Sequence, residues 1–254
     1  MELKRVVVTG LGILSPLGNS VEETWENLLK GESGAGPITR FDASLFKTRI
    51  ACEVKDFDPS LYIDRKEARK MDIYTQFAVA VAKQAVSDAA IDLETEDLNR
   101  VGVVFGAGIG GIRTFEDEIG YYYQHQDLGP KFNPFFIPKM ISDIAAGQIS
   151  IVFGFHGPNY SVSSACATST NAIADAFNLV RLGKANIMVT GGSEAAMTGF
   201  CNLGFNMLHA LSSGFADDPS KATSLSTITL PVSGTDTPLS TISLNASIME
   251  YTSM

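Results

Sequence analysis

Three stretches of the chain carry unbroken runs of β-branched and other apolar residues that end on glycine. They are "RVVVTGLG" (5–12), "RVGVVFGAGIGG" (100–111) and "ANIMVTGGSEA" (185–195). Apolar runs without polar alternation predict strands buried on both faces, in a sheet covered by helices. Helical periodicity lies between them. "SVEETWENLLKG" (20–31) opens on a Ser20–Glu23 capping box and stops at Gly31. "DIYTQFAVAVAKQAVSDAAI" (72–91) is Ala-rich and largely apolar, which predicts a helix buried on most sides. "TSTNAIADAFNLVRLG" (168–183) places Ala172, Ala176 and Val180 on one face and Gly183 at its stop. Strands alternating with helices predict an α/β protein.

Two stretches break this rhythm. Residues 112–140 crowd aromatics and prolines together in "YYYQHQ" and "KFNPFFIPKM", which argues against a regular helix or a central strand. The reading there is a packed excursion from the sheet: a cap, a pocket wall or a subunit contact. After Ala222 the character changes again. Of the last 32 residues, 14 are Ser or Thr, with no helical or strand periodicity, so weak or absent order is expected over 223–254.

Composition narrows the function classes. The chain has 254 residues, 45% of them hydrophobic and 19% charged, enough to bury a real core in one large domain or two small ones. A net charge of −9 argues against a nucleic-acid binder, which needs a basic face. The longest apolar runs fall well short of the roughly 20 residues a membrane helix needs. "MELKRVVVTG" runs straight into a strand, with no signal-peptide layout. Cys52, Cys166 and Cys201 are widely spaced, and neither they nor His125, His156 and His209 form a disulfide framework or zinc spacing. A reducing cytoplasm is the natural compartment.

Four local motifs bear chemistry. "GAGIGG" (106–111) matches the dinucleotide pattern G-x-G-x-x-G after a strand, as in an NAD-dependent oxidoreductase. The acid expected about 20 residues on falls in "YYYQHQD", which is no strand, so a tight turn at a close backbone approach is the plainer reading. Tyr62 and Lys66 have the Y-x-x-x-K spacing of some dehydrogenases, but within "YIDRKEARKMD" they read as a solvated charged face. Arg65, Lys66, Arg69 and Lys70 put four cations in six residues, with i, i+4 spacing between Lys66 and Lys70. That is either a wet helix start or a docking patch for an acidic partner. Cys166, in "YSVSSACATS", follows a predicted short strand and turn and opens a helix. Unpaired helix N–H groups and the dipole would lower its thiol pKa and could hold an oxyanion during acyl transfer. A lone cysteine among alanines also reads as a small apolar filler, and spacing alone leaves both readings open.

Taken together, "RVVVTGLGILSPLGN", "RKEARKMD", "GAGIGG", "NPFFIP", "GPNYSVSSACATS" and "VTGGSEA" resemble the β-ketoacyl-[acyl-carrier-protein] synthases, nearest to the type II condensing enzymes of bacterial fatty acid synthesis. The resemblance runs from about residue 3 to about Ala222. It implies a thiolase-like layered α/β fold, of which this chain carries the N-terminal half only, as a domain over 1–222 with an aberrant tail over 223–254. It implies a homodimer, an acyl carrier protein as partner, and no cofactor or metal. Cys166 is implied as the acyl-accepting nucleophile. Ile109, Phe136 and Phe205 match acyl-pocket residues, Phe136 reaching in from the dimer partner. Lys66, Arg69 and Lys70 match the carrier-docking patch, and His209 stands where a cationic docking residue is common.

The resemblance also shows a gap. After "DDPSKA" the family continues with "SRPFD", "DRDGFV" and "GEGAG", where this chain reads "TSLSTITLPV". The family's two catalytic histidines, its lysine and its second oxyanion donor lie in that missing half, and none of the three histidines present matches a catalytic one. The expectation is a truncated synthase, its tail an out-of-frame translation, impaired in condensation. A non-catalytic dimer partner or carrier-binding module is the rival reading.

Overall fold

The computed structural model describes residues 3–129, 131–222 and 246–251. In chain order its elements are β1 (Val6–Gly12), α1 (Val21–Leu29), β2 (Gly36–Pro37), β3 (Ile50–Ala51), α2 (Arg65–Ala68), α3 (Ile73–Asp88), β4 (Val101–Gly106), α4 (Ile112–Gln124), α5 (Phe136–Met140), α6 (Ile144–Phe153), β5 (Asn159–Tyr160), α7 (Thr168–Arg181), β6 (Ile187–Gly192), α8 (Gly199–Met207) and β7 (Ala246–Tyr251). They form two compact units. The first comprises Met1–Leu14, Phe57–Ala196 and Ser243–Met254, and the second Ser15–Asp56 and Met197–Ile242.

The first unit is built on a five-stranded sheet in the order β1-β7-β6-β4-β5. β4 runs parallel to β5 and β6, while β7 runs antiparallel to both β6 and β1. All six residues of β4 and of β6 are buried, as their unbroken apolar runs require. β1 departs from that expectation. It is the edge strand, and Val8 is 53% exposed, because an edge strand has helices and strands on fewer sides.

Helices cover the sheet. Ala172, Ala176 and Val180 form the buried stripe of α7 and pack with Val104 of β4 and Met188 of β6. The small side chains let the helix lie close to the strands. Replacing Ala176 with Leu is expected to overpack this layer and cost about 1–3 kcal/mol. Replacing exposed Ala174 with Leu should change stability by less than about 0.5 kcal/mol. Chemical denaturation of the two variants checks the difference. α3 lies against β1 and α6, and α6 against β4. As its composition predicts, α3 is buried on most sides, with Tyr74, Ala78, Val79, Ala80, Val81, Ala82 and Ala85 fully covered and Ser87 and Asp88 exposed at its end.

Three expectations need correction. Residues 112–124 are a regular 13-residue helix, α4. Its start is capped from far away: the Asp72 carboxylate accepts from Thr114 N (3.0 Å) and Thr114 Oγ1 (2.6 Å). An i, i+4 pair, Arg113–Asp117 at 2.9 Å, supports its exposed side. Pro138 sits in the first turn of α5, where its missing N–H costs no helix bond. The second correction concerns the tail. Residues 246–251 form β7, between β1 and β6, where no strand was expected; 223–245 and 252–254 lie outside the described residues. Third, the strand before Cys166 is only Asn159–Tyr160, and 161–164 are irregular.

In the second unit, Ser20 caps α1 by accepting from Glu23 N, while the Glu23 carboxylate accepts from Asn19 N at 2.8 Å. The box is thus shifted by one residue on its return side. Gly31, with φ +72°, ends the helix as predicted. β2 and β3 pair as a short antiparallel ladder, and the Glu53 carboxylate accepts from Thr39 Oγ1 at 2.6 Å beside it.

Candidate active site

Parallel β4 and β6 end side by side, and the loops that follow them meet the turn before α7. The "GAGIGG" loop leaves β4 at Gly106 and enters α4 after Gly111. A Cβ at Gly106 would lie 2.2 Å from Thr168 Cγ2, and one at Gly111 only 2.0 Å from the Lys139 carbonyl oxygen. Glycine is therefore needed where the loop touches α7 on one side and α5 on the other. Gly111 N also donates to the Met140 carbonyl at 3.0 Å, tying α5 to the loop.

From β6, Ser193 N donates to the Gly106 carbonyl at 3.1 Å, and Ser193 Oγ donates to the Tyr74 carbonyl at 2.8 Å. These bonds deliver the next residue, Glu194, to the loop. Its Oε2 accepts from Ile109 N at 2.8 Å. Desolvation where the carboxyl meets the loop pushes its pKa up, opposed by amide donation from Ile109, Ala195, Gly108 and Gly110. The Ile109 amide, in the middle of the loop, is thus turned onto a carboxylate of the chain itself and is not free to hold a diphosphate. The dinucleotide reading of this motif loses that donor.

Cys166 lies in a single 3-10 turn, Ala165–Ala167, that leads directly into α7. The irregular 161–164 segment follows from its serines, whose short polar groups bond locally instead of extending a ladder. Ser163 Oγ donates to the Gly108 carbonyl at 3.3 Å, and Ser164 N donates to Thr168 Oγ1 at 2.8 Å. Asn171 Nδ2 donates to Ser164 Oγ at 2.7 Å. Ala165 is held at φ +51°, a left-handed conformation that costs a non-glycine residue roughly 1 kcal/mol. Strain of this kind concentrates at functional turns. The thiol is exposed, and among the described residues the Cys166 amide makes no hydrogen bond. α7 has no side-chain N-cap, so its first-turn donors sit beside the sulfur's residue. The arrangement sets an exposed thiol beside a helix start, where backbone donors can meet a developing oxyanion.

The other expected site residues fall into three places. Ile109 is 42% exposed on the loop, where Gly108 packs on Ala165; a Cβ at Gly108 would lie 3.6 Å from the Ala165 carbonyl. Phe136 opens α5 and is half-buried among its own chain's aromatics, 5.1 Å from the Phe132 ring and 6.4 Å from Phe115. The structure thus gathers Cys166, Ile109 and the helix of Phe136 around one loop. Phe205 lies on α8, exposed, in the second unit. His209 follows that helix with φ +54°.

The basic run is less helical than its spacing suggested. α2 lasts four residues, capped by Asp64, which accepts from Lys66 N at 2.8 Å. Lys70 lies beyond the helix, paired with Glu67 at 2.6 Å and set 5.9 Å from the Phe135 ring centre. Lys66 and Arg69 are exposed and form no ion pair among the described residues. Tyr62 Oη accepts from Gln84 Nε2 at 3.2 Å and does not pair with Lys66. Among the described residues, no helix is long and apolar enough to cross a membrane, and no cluster of His, Cys, Asp or Glu could hold a metal. Sequence reasoning missed Glu194. The cue was a lone acid directly after the glycine end of an apolar strand.

Comparison with known proteins identifies the family. The family profile described as "Beta-ketoacyl synthase, N-terminal domain" matches residues 3–226. The 3-oxoacyl-[acyl-carrier-protein] synthase 2 of Staphylococcus aureus (strain COL) is 48% identical over 210 residues, which are 82% of this chain and 50% of that protein. The chain thus spans about half the length of the curated relatives it matches. A beta-ketoacyl synthase from Burkholderia phymatum STM815 superposes with a TM-score of 0.76 at 24% identity, covering 98% of this chain and 59% of that one. The AntDE:AntF complex, a type II PKS acyl-carrier protein with its ketosynthase bound to the hexaketide, superposes with a TM-score of 0.70 at 24% identity, over 83% of this chain and 57% of that one.

Proposed function

The chain belongs to the beta-ketoacyl synthase family, and from that premise we propose that it is the acyl-accepting part of a condensing enzyme of fatty acid synthesis. The observation that carries the reading is the exposed Cys166 thiol at the strained turn into α7, whose own amide makes no hydrogen bond among the described residues. Cys166 Sγ attacks the carbonyl carbon of an acyl thioester. The tetrahedral oxyanion is held by backbone N–H groups, then collapses and expels the carrier's thiolate, which takes the proton that Cys166 gave up. In the complete cycle a malonyl thioester loses carbon dioxide, and its carbanion attacks the acyl-enzyme to lengthen the chain by two carbons. Of that cycle, the acyl-loading step is the one that the Cys166 turn supports.

The partner is an acyl carrier protein, docked on the unpaired cations Lys66 and Arg69 with Lys70 at their edge. A ketosynthase of similar fold is bound to such a carrier. A second copy of the chain is the proposed subunit partner, supported by exposed Tyr123, Phe132, Phe135 and Ile137 on and between α4 and α5. Three free thiols fit a reducing cytoplasm.

Incubation with hexadecanoyl-acyl carrier protein should add one acyl mass to the intact chain, located by peptide mapping to Cys166. A folded chain that gains no acyl group, or gains it on Cys52 or Cys201, would refute the proposal. The double variant Lys66→Glu/Arg69→Glu should slow loading from the carrier protein by about tenfold at low salt. Loading from a small uncharged thioester should be unchanged.

A further inference from the structure

Glu194 is an exposed residue of the first unit whose carboxylate turns to a loop amide and to no cation. No ion pair is formed by it among the described residues. Instead its carboxylate accepts from the loop amide of Ile109 at 2.8 Å. A Cβ at Gly108 would lie 3.0 Å from Oε2, so the loop is drawn onto the carboxylate as closely as glycine permits. A hydrogen bond to a carboxylate is charge-assisted and about twice as strong as a neutral one. The same loop carries the Ser163 Oγ bond to the Gly108 carbonyl and packs on Ala165, the residue before Cys166. One carboxylate therefore fixes a backbone whose next side chain, Ile109, stands beside the nucleophile's turn.

We propose that Glu194 is a positioning residue: it locks the 108–110 loop, and through it Ile109, against the Cys166 turn and so selects the length of acyl group that loads. The inference rests on Cys166 being the acyl acceptor. Amide replacement in Glu194→Gln keeps the shape but loses the charge and brings an NH₂ group to face N–H donors. The loop loosens, and Ile109 no longer holds one place.

The test uses the whole chain, intact-mass kinetics, and butanoyl, octanoyl, dodecanoyl and hexadecanoyl thioesters of N-acetylcysteamine, with iodoacetamide as a small probe of the thiol. In Glu194→Gln the ratio of hexadecanoyl to butanoyl loading should shift by about tenfold, the scale on which small misplacements and pocket changes act. Alkylation by iodoacetamide should change by less than about twofold, and Glu194→Asp should restore part of the original ratio. In an Ile109→Ala background, Glu194→Asp should no longer move the ratio, because coupled residues are not additive. This arm also serves if Glu194→Gln fails to fold. An unchanged ratio, a uniform fall for all thioesters and iodoacetamide alike, or additive effects of the two sites would overturn the assignment while leaving Cys166 as acceptor. A wild-type chain alkylated at Cys166 but loaded by no thioester would overturn both.

Discussion

Removal of residues 246–251 should abolish cooperative unfolding of the first unit. β7 is the strand partner of β1, registered from Val6 opposite Tyr251 to Gly12 opposite Ala246, and its other edge pairs with β6 from Ile187 to Gly191. Without it, β1 has no ladder in the sheet order β1-β7-β6-β4-β5. Several backbone hydrogen bonds would be lost on each side, at about 1 kcal/mol net apiece. Whole-domain stability is only about 5–15 kcal/mol, so the loss is of the same size as the total. A gentler version is Met249→Pro, at the position whose backbone registers with Val8 and Met188. Proline removes a ladder donor in a central strand and should cost about 3 kcal/mol. Thermal circular dichroism and limited proteolysis read both. Unchanged melting in the two proteins would show that β7 contributes nothing to the sheet.

That strand marks the boundary of what the sequence made legible. β4, β6, α3 and α7 were readable because burial writes itself into local pattern: unbroken Val and Ile runs, a largely apolar helix, and the Ala172–Ala176–Val180 stripe. α4 was not, because its cap comes from Asp72, 42 residues earlier, and its aromatics masked an ordinary i, i+4 framework. β7 was hidden for a related reason. A strand in a Ser/Thr-rich segment is set by the edges it joins, not by its own periodicity. At the site, Cys166 and the glycine loop were found by type and spacing. Their juxtaposition, the φ of Ala165 and the grip of Glu194 on Ile109 exist only once β4 and β6 lie side by side.

Substituting Cys166 should have the largest effect on chemistry. Cys166→Ala removes the only thiol placed at the turn where the Gly108 contact, the strained Ala165 and the α7 first turn converge. Loss of a nucleophile from a covalent mechanism costs on the order of 10⁴-fold or more, because neighbouring donors cannot replace the missing bond. Cys166→Ser should be nearly as damaging, since a hydroxyl is a far weaker nucleophile than a thiolate without a partnered base. The other cysteines differ in setting. Cys52 is exposed, like Cys166, but lies away from the turn into α7, and partial desolvation raises its thiol pKa, with Lys55 opposing. Cys201 is buried in α8. Cys52→Ala and Cys201→Ala should therefore load acyl groups within about twofold of the parent chain, the scale expected for substitutions outside the reacting group. The measurement is the rate of acyl-mass gain from one thioester across the four variants and the parent. An acyl adduct of undiminished yield in folded Cys166→Ala would show that Cys166 is not the acyl acceptor.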